Sequence, residues 1–494
     1  MTRTKSVNDL LQGYARRQEH DAQISGLSLD SRKLKSNFAF VALKGTNTHG
    51  LSFAVDALEK GANSIIYEEE ESPERKVPKN TCLFPVRNLS RNISKIAAKF
   101  YEYPSAALQV FAVTGTNGKS SIAYGLADVL NQLGQKTAVL GTIGFNPGSD
   151  IQPASHTTPD AISLQEFIKE ARDSASKCLV MEASSHGLAQ YRLDGVEVDT
   201  AIYTNLSHEH QDYHPGMQHY AESKERLLQF PSVKSALINI GDKFGAKLAD
   251  KYKNKLRVVV YGVDIKTKES ASFLNARNVK LDKAGLEFKL VSSWGEAMVA
   301  SKHFGRFNVE NLLAIIGACL LGGFSLAEIT KSIMTMDMVP GRMQSFKKTG
   351  RPLVVVDFAH TPDALDKALT ALRDHIGLNA RIYCVFGCGG DRDQAKRPLM
   401  GEVAEFKANF TILTDDNPRS EKSHAIIQHI LAGFKLPKRV KVITDRKQAI
   451  LYAIDKARDN DVVLIAGKGH EAVQIADGVE FEFDDAKVVE GALC

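Results

Sequence analysis

Short apolar runs rich in Val, Ile and Ala alternate along this chain with longer stretches whose apolar residues recur at helical spacing. In the middle of the chain the runs LQVFAVTG, TAVLGTIG, CLVMEAS and TAIYTNL are apolar almost throughout. Such runs predict strands buried on both faces, hence a largely parallel sheet covered by helices. Between the first two, Ile122, Leu126, Val129, Leu130 and Leu133 mark one face of a helix. A hairpin-rich insert follows, with strands SASFLNARNVKL and GLEFKLVSS turning at Asp282 to Gly285, before FNVENLLAIIGACLLGG returns to helix. Nearer the N-terminus, FAFVAL and NSIIYEE flank the helical run LSFAVDALEKGA, and Pro104 marks a linker. A Pro-Gly pair near Val339 to Arg342 opens a last block, in which PLVVVDF, RIYCVFG, FTILTDD, VKVITD and DVVLIAG alternate with helices as a second doubly wound sheet. The expected fold is α/β with three domains: a small α/β domain over 1–104, a central P-loop ATPase-like parallel-sheet domain over 105–338, and a Rossmann-like doubly wound domain over 339–494.

Composition narrows the class without changing that picture. A chain of 494 residues with 43% hydrophobic content holds more than one core. The net charge of +5 is small for this length and its basic residues are dispersed, so no nucleic-acid partner is expected. Six scattered cysteines, no apolar stretch of membrane-spanning length and an N-terminus without the apolar core of a secretory signal point to a reduced, cytoplasmic protein with no membrane partner. Cys384 and Cys388 lie close together, but without a second Cys or His pair nearby they are not read as a metal site.

Candidate chemistry concentrates where strands end. FAVTGTNGKSS runs an apolar strand into a turn in which Gly115 and Gly118 give the backbone freedom to wrap an anion at a helix N-terminus. Lys119 would then neutralise phosphates and Ser120 would ligate magnesium. The standard P-loop wants glycine where Val113 stands, so the loop is a shortened variant, and an ordinary strand-to-helix turn is the competing reading. Glu182 follows another buried strand and offers the hard oxygen that magnesium needs. TNLSHEHQDYH offers His208, Glu209, His210, Asp212 and His214 at a third strand end, where His210 could hold a second cation; a hydrogen-bonded loop or a zinc site fits the same spacing. Both edges should converge on one nucleotide. In the last block DFAHTPD, GCGGDRD, DDNPR and GKGHE each begin at a strand's carboxyl end, the edge where open α/β sheets bind ligands. Arg392 and Arg419 would suit carboxylates there through paired N–H donors.

Taken together, TGTNGKSS, MEASSHG, TNLSHEHQDYH, FGRFNVEN, PGRM, DFAHTPDAL, FGCGGDRD, DDNPR and AGKGHE resemble the Mur ligases of peptidoglycan precursor synthesis, from LSLDSR near the start to GKGHE near the end. The resemblance is strongest to members that extend UDP-N-acetylmuramoyl-L-alanyl-D-glutamate. The DNPR motif, Asp416 to Arg419, resembles members that add meso-diaminopimelate rather than lysine. The resemblance implies an ATP-dependent amide ligase working through an acyl phosphate, expected as a monomer. A lysine-adding member, a folylpolyglutamate-type ligase and a non-catalytic ATP-binding scaffold are the alternatives.

Carried over residue by residue, the resemblance implies ATP on Thr114, Gly115, Thr116, Asn117, Gly118, Lys119 and Ser120, with Asn308, Arg342, Asp357 and His360 also facing the nucleotide. It implies two Mg2+ ions, one by Ser120 and Glu182 and one by His210, and a CO2-derived carbamate on Lys224, which without the family reads as a solvated helix residue. For the nucleotide sugar it implies Leu29, Ser31, Thr46, Asn47, Thr48, His156, Thr157, Thr158, Ser184, Gln190 and Arg192. For diaminopimelate it implies Arg392, Asp416, Asn417, Pro418, Arg419, Gly467 and Glu471, with Arg419 on the distal carboxylate and an acid on the distal ammonium. Ser120 and Ser121 stand where the family usually has threonines, Glu209 where an aspartate precedes the metal-site histidine, and His156 where an asparagine precedes the two threonines.

Overall fold

The computed structural model describes residues 4–45, 48–70, 77–78, 80–147, 151–152, 156–207, 213–266, 272–377 and 379–494, and structural statements refer to these. The chain divides into two compact units, Met1–Val260 and Tyr261–Cys494.

The first unit opens with strands Gly26–Ser28, Phe38–Ala42, Ala62–Glu68 and Cys82–Val86, paired parallel in that order. Parallel pairing demands crossovers. Helix Ala54–Glu59 supplies one, after the turn Gly50–Phe53, and helix Leu89–Phe100 closes the layer with Leu89, Ile93, Ile96, Ala97 and Phe100 turned inward. Farther along the same unit, Gln109–Thr114 lies between Cys178–Glu182 and Thr200–Tyr203, parallel to both. Ser235–Asn239 and Thr137–Gly141 extend this sheet on either side, and Gly144–Asn146 folds back antiparallel on the latter. The expected single run TAVLGTIG is therefore a strand, a tight turn and a return, since Gly144 takes φ 154° and places its would-be Cβ 2.4 Å from the Gln152 carbonyl. The helix read from Ile122, Leu126 and Leu130 spans Lys119–Gln132 and begins directly on the glycine turn.

The second unit begins with the insert, a meander of Ser272–Asp282, Gly285–Ser292 and Gly295–Ser301. Its third strand, GEAMVAS, has a single β-branched residue and faces solvent at several positions, so it does not announce itself in sequence. Helix Phe307–Leu321 is buried almost all round, and Leu326–Thr335 starts on a Ser325/Glu328 capping box. The last sheet runs Gln344–Phe346, Leu353–Asp357, Val462–Ala466, Ile382–Phe386, Phe410–Leu413, Lys441–Val442, parallel except for the first strand. Strict alternation splits its core: Val355, Leu464, Cys384 and Phe386 pack on one face, and Val354, Val356, Val463, Ile465 and Val385 on the other. The run VKVITD contributes only Lys441–Val442, because it is an exposed edge strand with one neighbour. No helix among the described residues is long and apolar enough to cross a membrane.

Candidate active site

In the first unit, register brings three strand ends level: Glu182 pairs with Val113, and Tyr203 with Thr114. The two edges expected to meet at the glycine turn are thus adjacent through strand pairing alone. Thr114 is buried, and Gly115 (φ 146°) has no room for a side chain, since a Cβ there would lie 1.8 Å from Thr204 Oγ1. Gly118 adopts φ 87° just before the helix. The turn is braced by residues that spacing did not single out. Thr116 N donates to the Asn205 carbonyl at 2.8 Å and Asn117 N to Asn205 Oδ1 at 2.9 Å. Thr204 Oγ1 donates to the Asn117 carbonyl at 2.7 Å, and Tyr220 OH meets Thr116 Oγ1 at 3.1 Å. Two of the loop amides expected to face an anion are therefore spent on Asn205. Thr204 and Asn205 sit in the motif TNLSHEHQDYH, where the histidines drew attention away from them.

Lys119 Nζ donates to the carbonyls of Gly115 at 3.0 Å and Thr116 at 2.7 Å, and Ser120 is buried in the first helical turn. Glu182 is fully buried; Oε1 accepts from Thr142 N at 2.7 Å and Oε2 from Thr142 Oγ1 at 3.3 Å. Its carboxylate packs against Gly141, where a Cβ would come within 2.2 Å. Lys224 lies on helix Met217–Glu225 and is 1% exposed, which overturns its reading as a solvated residue. Its Nζ donates to the Gly115 carbonyl at 2.7 Å and lies 4.4 Å from the Tyr220 ring centre. His210 falls outside the described residues, as do His208, Glu209, Asp212, Thr46 and Asn47.

Beside this edge a polar chain joins Thr157, Thr158, Ser184, Gln190 and Arg192 of the expected nucleotide-sugar residues. Thr157 Oγ1 meets Thr142 Oγ1 at 3.0 Å, and Thr158 Oγ1 donates to the Glu182 carbonyl at 2.8 Å and accepts from Ser184 N at 3.0 Å. Ser184 caps the short helix Ser185–Ala189. Arg192 Nη1 donates to the Thr158 carbonyl at 2.6 Å and its Nε to Gln190 Oε1 at 2.9 Å; Gln190 Nε2 in turn donates to Tyr213 OH at 3.0 Å. His156 opens this segment. Leu29 and Ser31 follow the strand Gly26–Ser28, and Thr48 follows Phe38–Ala42, so these share the carboxyl edge of the N-terminal sheet.

In the second unit the loops after Leu353–Asp357, Ile382–Phe386, Phe410–Leu413 and Val462–Ala466 all leave one edge. Asn308 lies in the first turn of helix Phe307–Leu321, its Nδ2 donating to the Phe304 carbonyl at 2.7 Å. The Arg342 guanidinium lies 4.8 Å from the Phe358 ring centre. Asp357 Oδ2 accepts from Met343 N at 2.7 Å, and burial raises its pKa above the usual carboxylate value. His360 Nδ1 lies 2.9 Å from the Phe358 carbonyl, on an exposed side chain.

The remaining loops interlock through missing side chains. A Cβ on Gly390 would lie 1.8 Å from the Pro418 carbonyl, and one on Gly467 (φ 116°) 2.4 Å from Asp416 Oδ2. Arg419 takes φ 54°, its N donating to the Ile475 carbonyl at 2.9 Å and its Nη1 to the Gly390 carbonyl at 2.7 Å. Asp416 is buried, which raises its pKa. Asn417 Nδ2 donates to Glu471 Oε2 at 2.8 Å, and Arg392 is exposed on the neighbouring loop. Behind them, fully buried Arg397 makes a two-pronged pair with Glu421 at 2.9 and 2.8 Å while donating to the Gly389 carbonyl at 3.1 Å, tying the GCGGDRD loop to the DDNPR loop.

Three family models match the chain: "Mur ligase family, catalytic domain" over residues 23–101, "Mur ligase middle domain" over 113–319 and "Mur ligase, glutamate ligase domain" over 341–469. The chain belongs to the Mur ligase family. Among its relatives within that family, a Coxiella burnetii protein named UDP-N-acetylmuramoyl-L-alanyl-D-glutamate--2,6-diaminopimelate ligase is 41% identical, covering 99% of each chain. A Pseudomonas aeruginosa protein of the same name is 41% identical, covering 96% of each. A solved structure of a ligase of that name superposes with a TM-score of 0.70 at 35% identity, covering 99% of each chain. This Mur ligase therefore carries both sheet edges within matched regions, the glycine turn in the middle domain and the DDNPR loop in the glutamate ligase domain.

Proposed function

We propose that this Mur ligase adds meso-diaminopimelate to UDP-N-acetylmuramoyl-L-alanyl-D-glutamate at the expense of ATP. The observation that carries the reading is the DDNPR loop, which holds Asp416 and Arg419 together in sequence, sets Arg419 Nη1 on the Gly390 carbonyl and ties Asn417 to Glu471. A guanidinium and carboxylates supplied by one set of loops suit a substrate end bearing both a carboxylate and an ammonium, and lysine offers only the ammonium.

A carboxylate resists amines until its oxygen becomes a good leaving group. The γ-phosphoryl group of ATP passes to the D-glutamate side-chain carboxylate, releasing ADP and giving an acyl phosphate. The amine of diaminopimelate attacks that carbonyl, and the tetrahedral adduct collapses to amide and phosphate. Positioning and charge neutralisation carry such a transfer, and no protein nucleophile is needed. Lys119, already at the mouth of the turn, would leave its own loop carbonyls for the phosphates. Thr158, Ser184, Gln190 and Arg192 would hold the muramoyl dipeptide, with Leu29, Ser31, Thr48 and the undescribed Thr46 and Asn47 toward the uridine end. Asn308, Arg342, Asp357 and His360 would serve the nucleotide.

A hydroxyl on Ser120 and a fully buried carboxylate on Glu182 are donors of the kind magnesium takes, and His210 and a carbamate on Lys224 would complete the set. When bound, the ions neutralise charge on the transferring phosphoryl group. Buried Lys224 suits carbamylation, because a carbamate keeps one N–H for the Gly115 carbonyl while replacing a buried cation with anionic oxygens. The test is a mass measurement after incubating the protein with the dipeptide nucleotide, ATP, Mg2+ and either diaminopimelate or lysine. A tripeptide nucleotide with diaminopimelate and ADP in equal yield is expected; comparable product from lysine, or ATP binding without product, overturns the reading.

A further inference from the structure

Lys468, in the loop GKGHE, is wholly buried, an uncommon place for an ammonium group. Its Nζ donates to Asn417 Oδ1 at 3.1 Å, to Glu471 Oε2 at 3.4 Å and to the Val473 carbonyl at 2.5 Å. These use all three N–H donors of the ammonium, so none remains for a ligand.

The contacts also fix the groups around it. Asn417 Oδ1 accepts from Lys468 and from Ile475 N at 3.0 Å, so the other end of that amide must be its NH2, which faces Glu471 Oε2 at 2.8 Å. Glu471 Oε2 thereby receives two donors on one side, which sets the direction in which Oε1 points. The Glu471 side chain is 35% exposed, in contrast to its buried anchor. The strand Val473–Ala476, which begins at a carbonyl held by Lys468, carries the Ile475 carbonyl that accepts from Arg419 N and pairs with Val479–Glu482. Arg419 is thus tied to the hairpin through its own backbone, whereas Glu471 depends on Lys468 and Asn417 for its orientation.

We infer that Lys468 is a positioning residue for the amino-acid substrate: it locks Asn417 and aims the Glu471 carboxylate at the substrate's ammonium group, without touching the substrate. This rests on the reading of the DDNPR edge as the amino-acid site. Because diaminopimelate and lysine share the ammonium that Glu471 receives, losing Lys468 weakens both alike, while losing Arg419 weakens only diaminopimelate.

The test compares Lys468→Met, Glu471→Gln and the double variant in steady-state assays of tripeptide formation. Lys468→Met should raise KM for diaminopimelate by about 10- to 100-fold, the worth of hydrogen bonds to a charged group. KM for ATP and for the dipeptide nucleotide should stay within about twofold, and the preference for diaminopimelate over lysine should not change. The double variant should be no worse than Glu471→Gln alone, since Lys468 acts through that carboxylate. An unchanged KM, multiplied effects in the double variant, or an equal rise in all three KM values would overturn the inference. Lys468→Gln, which retains donors for Asn417 and Val473, replaces the methionine variant if that one does not fold; failure of both to fold would make Lys468 a structural brace and equally defeat the proposal. Wild-type protein that forms no tripeptide removes the underlying reading of the site instead, so the two failures are told apart.

Discussion

Replacing Arg446 with methionine tests how the amino-acid loops are held from behind. Arg446 and Asp485 are both completely buried and meet through two contacts of 2.7 Å, Nε to Oδ1 and Nη2 to Oδ2. The same guanidinium donates to the carbonyls of Ala466 at 3.1 Å and Asp415 at 3.3 Å, the residues just before Gly467 and Asp416. One side chain thus joins the C-terminal helix Asp485–Leu493 to two loops of the proposed amino-acid site. Methionine fills similar volume but leaves the Asp485 carboxylate buried without its counter-ion, a loss of about 3 to 5 kcal/mol. In a unit of this size each kcal/mol moves the midpoint by about 2 to 4 °C, so the melting transition of the second unit should fall by about 6 to 20 °C. Differential scanning calorimetry of the whole protein measures it. The double variant Arg446→Met/Asp485→Leu removes both charges and should regain most of the loss, because an apolar pair needs no desolvation to be offset. A single-variant shift below about 3 °C, or a double variant less stable than Arg446→Met, would refute the claim that charge pairing rather than packing holds the helix on the loops.

Arg419→Ala should cost diaminopimelate about 2 to 5 kcal/mol of transition-state binding while lysine turnover is unchanged; an unaltered ratio of kcat/KM between the two would sink the assignment of the distal carboxylate. Lys224→Ala should abolish tripeptide formation, and a small added carboxylic acid should restore part of it if a carbamate is what the site needs; no restoration at any concentration counts against the carbamate. Gly115→Ala would drive a Cβ to 1.8 Å from Thr204 Oγ1 at φ 146°, so ATP affinity measured by calorimetry should drop by about 5- to 150-fold, the effect of roughly 1 to 3 kcal/mol of overpacking. Burial pushes the pKa of His303 down from 6.5 to about 4, so the unfolded chain binds a proton that the folded chain refuses as pH falls through that window. Stability is full above pH 6.5 and should decline by about 3 kcal/mol toward pH 4, and His303→Asn should lose visibly less across the same range in thermal melts.

Local sequence carried much of this, and its failures have physical causes. The glycine turn, the helix on Lys119 and the four loops of the last sheet were legible because buried strands, turn glycines and helical periodicity are set by neighbours in the chain. The third strand of the meander was missed because Gly295–Ser301 is half solvent-facing and draws its order from pairing with Gly285–Ser292. Thr142, Asn205 and Lys468 were missed because a threonine, an asparagine or a lysine in a loop has no local mark of what it holds. Each acquires its role from a partner that only folding brings near: Thr142 from Glu182 and Asn205 from the glycine turn.

By itself the sequence determined which residue types stand at the strand ends, and so the chemistry available there: a lysine and hydroxyl beside glycines at one edge, an arginine among acids at the other. Only the tertiary structure decided how those groups are held and charged. It buried Lys224, which its own helix would leave in water, and it turned Lys468 from a surface-type residue into a saturated internal anchor. The reason is that hydrogen-bond partners and water exclusion come from segments far apart in the chain, and no local pattern encodes them.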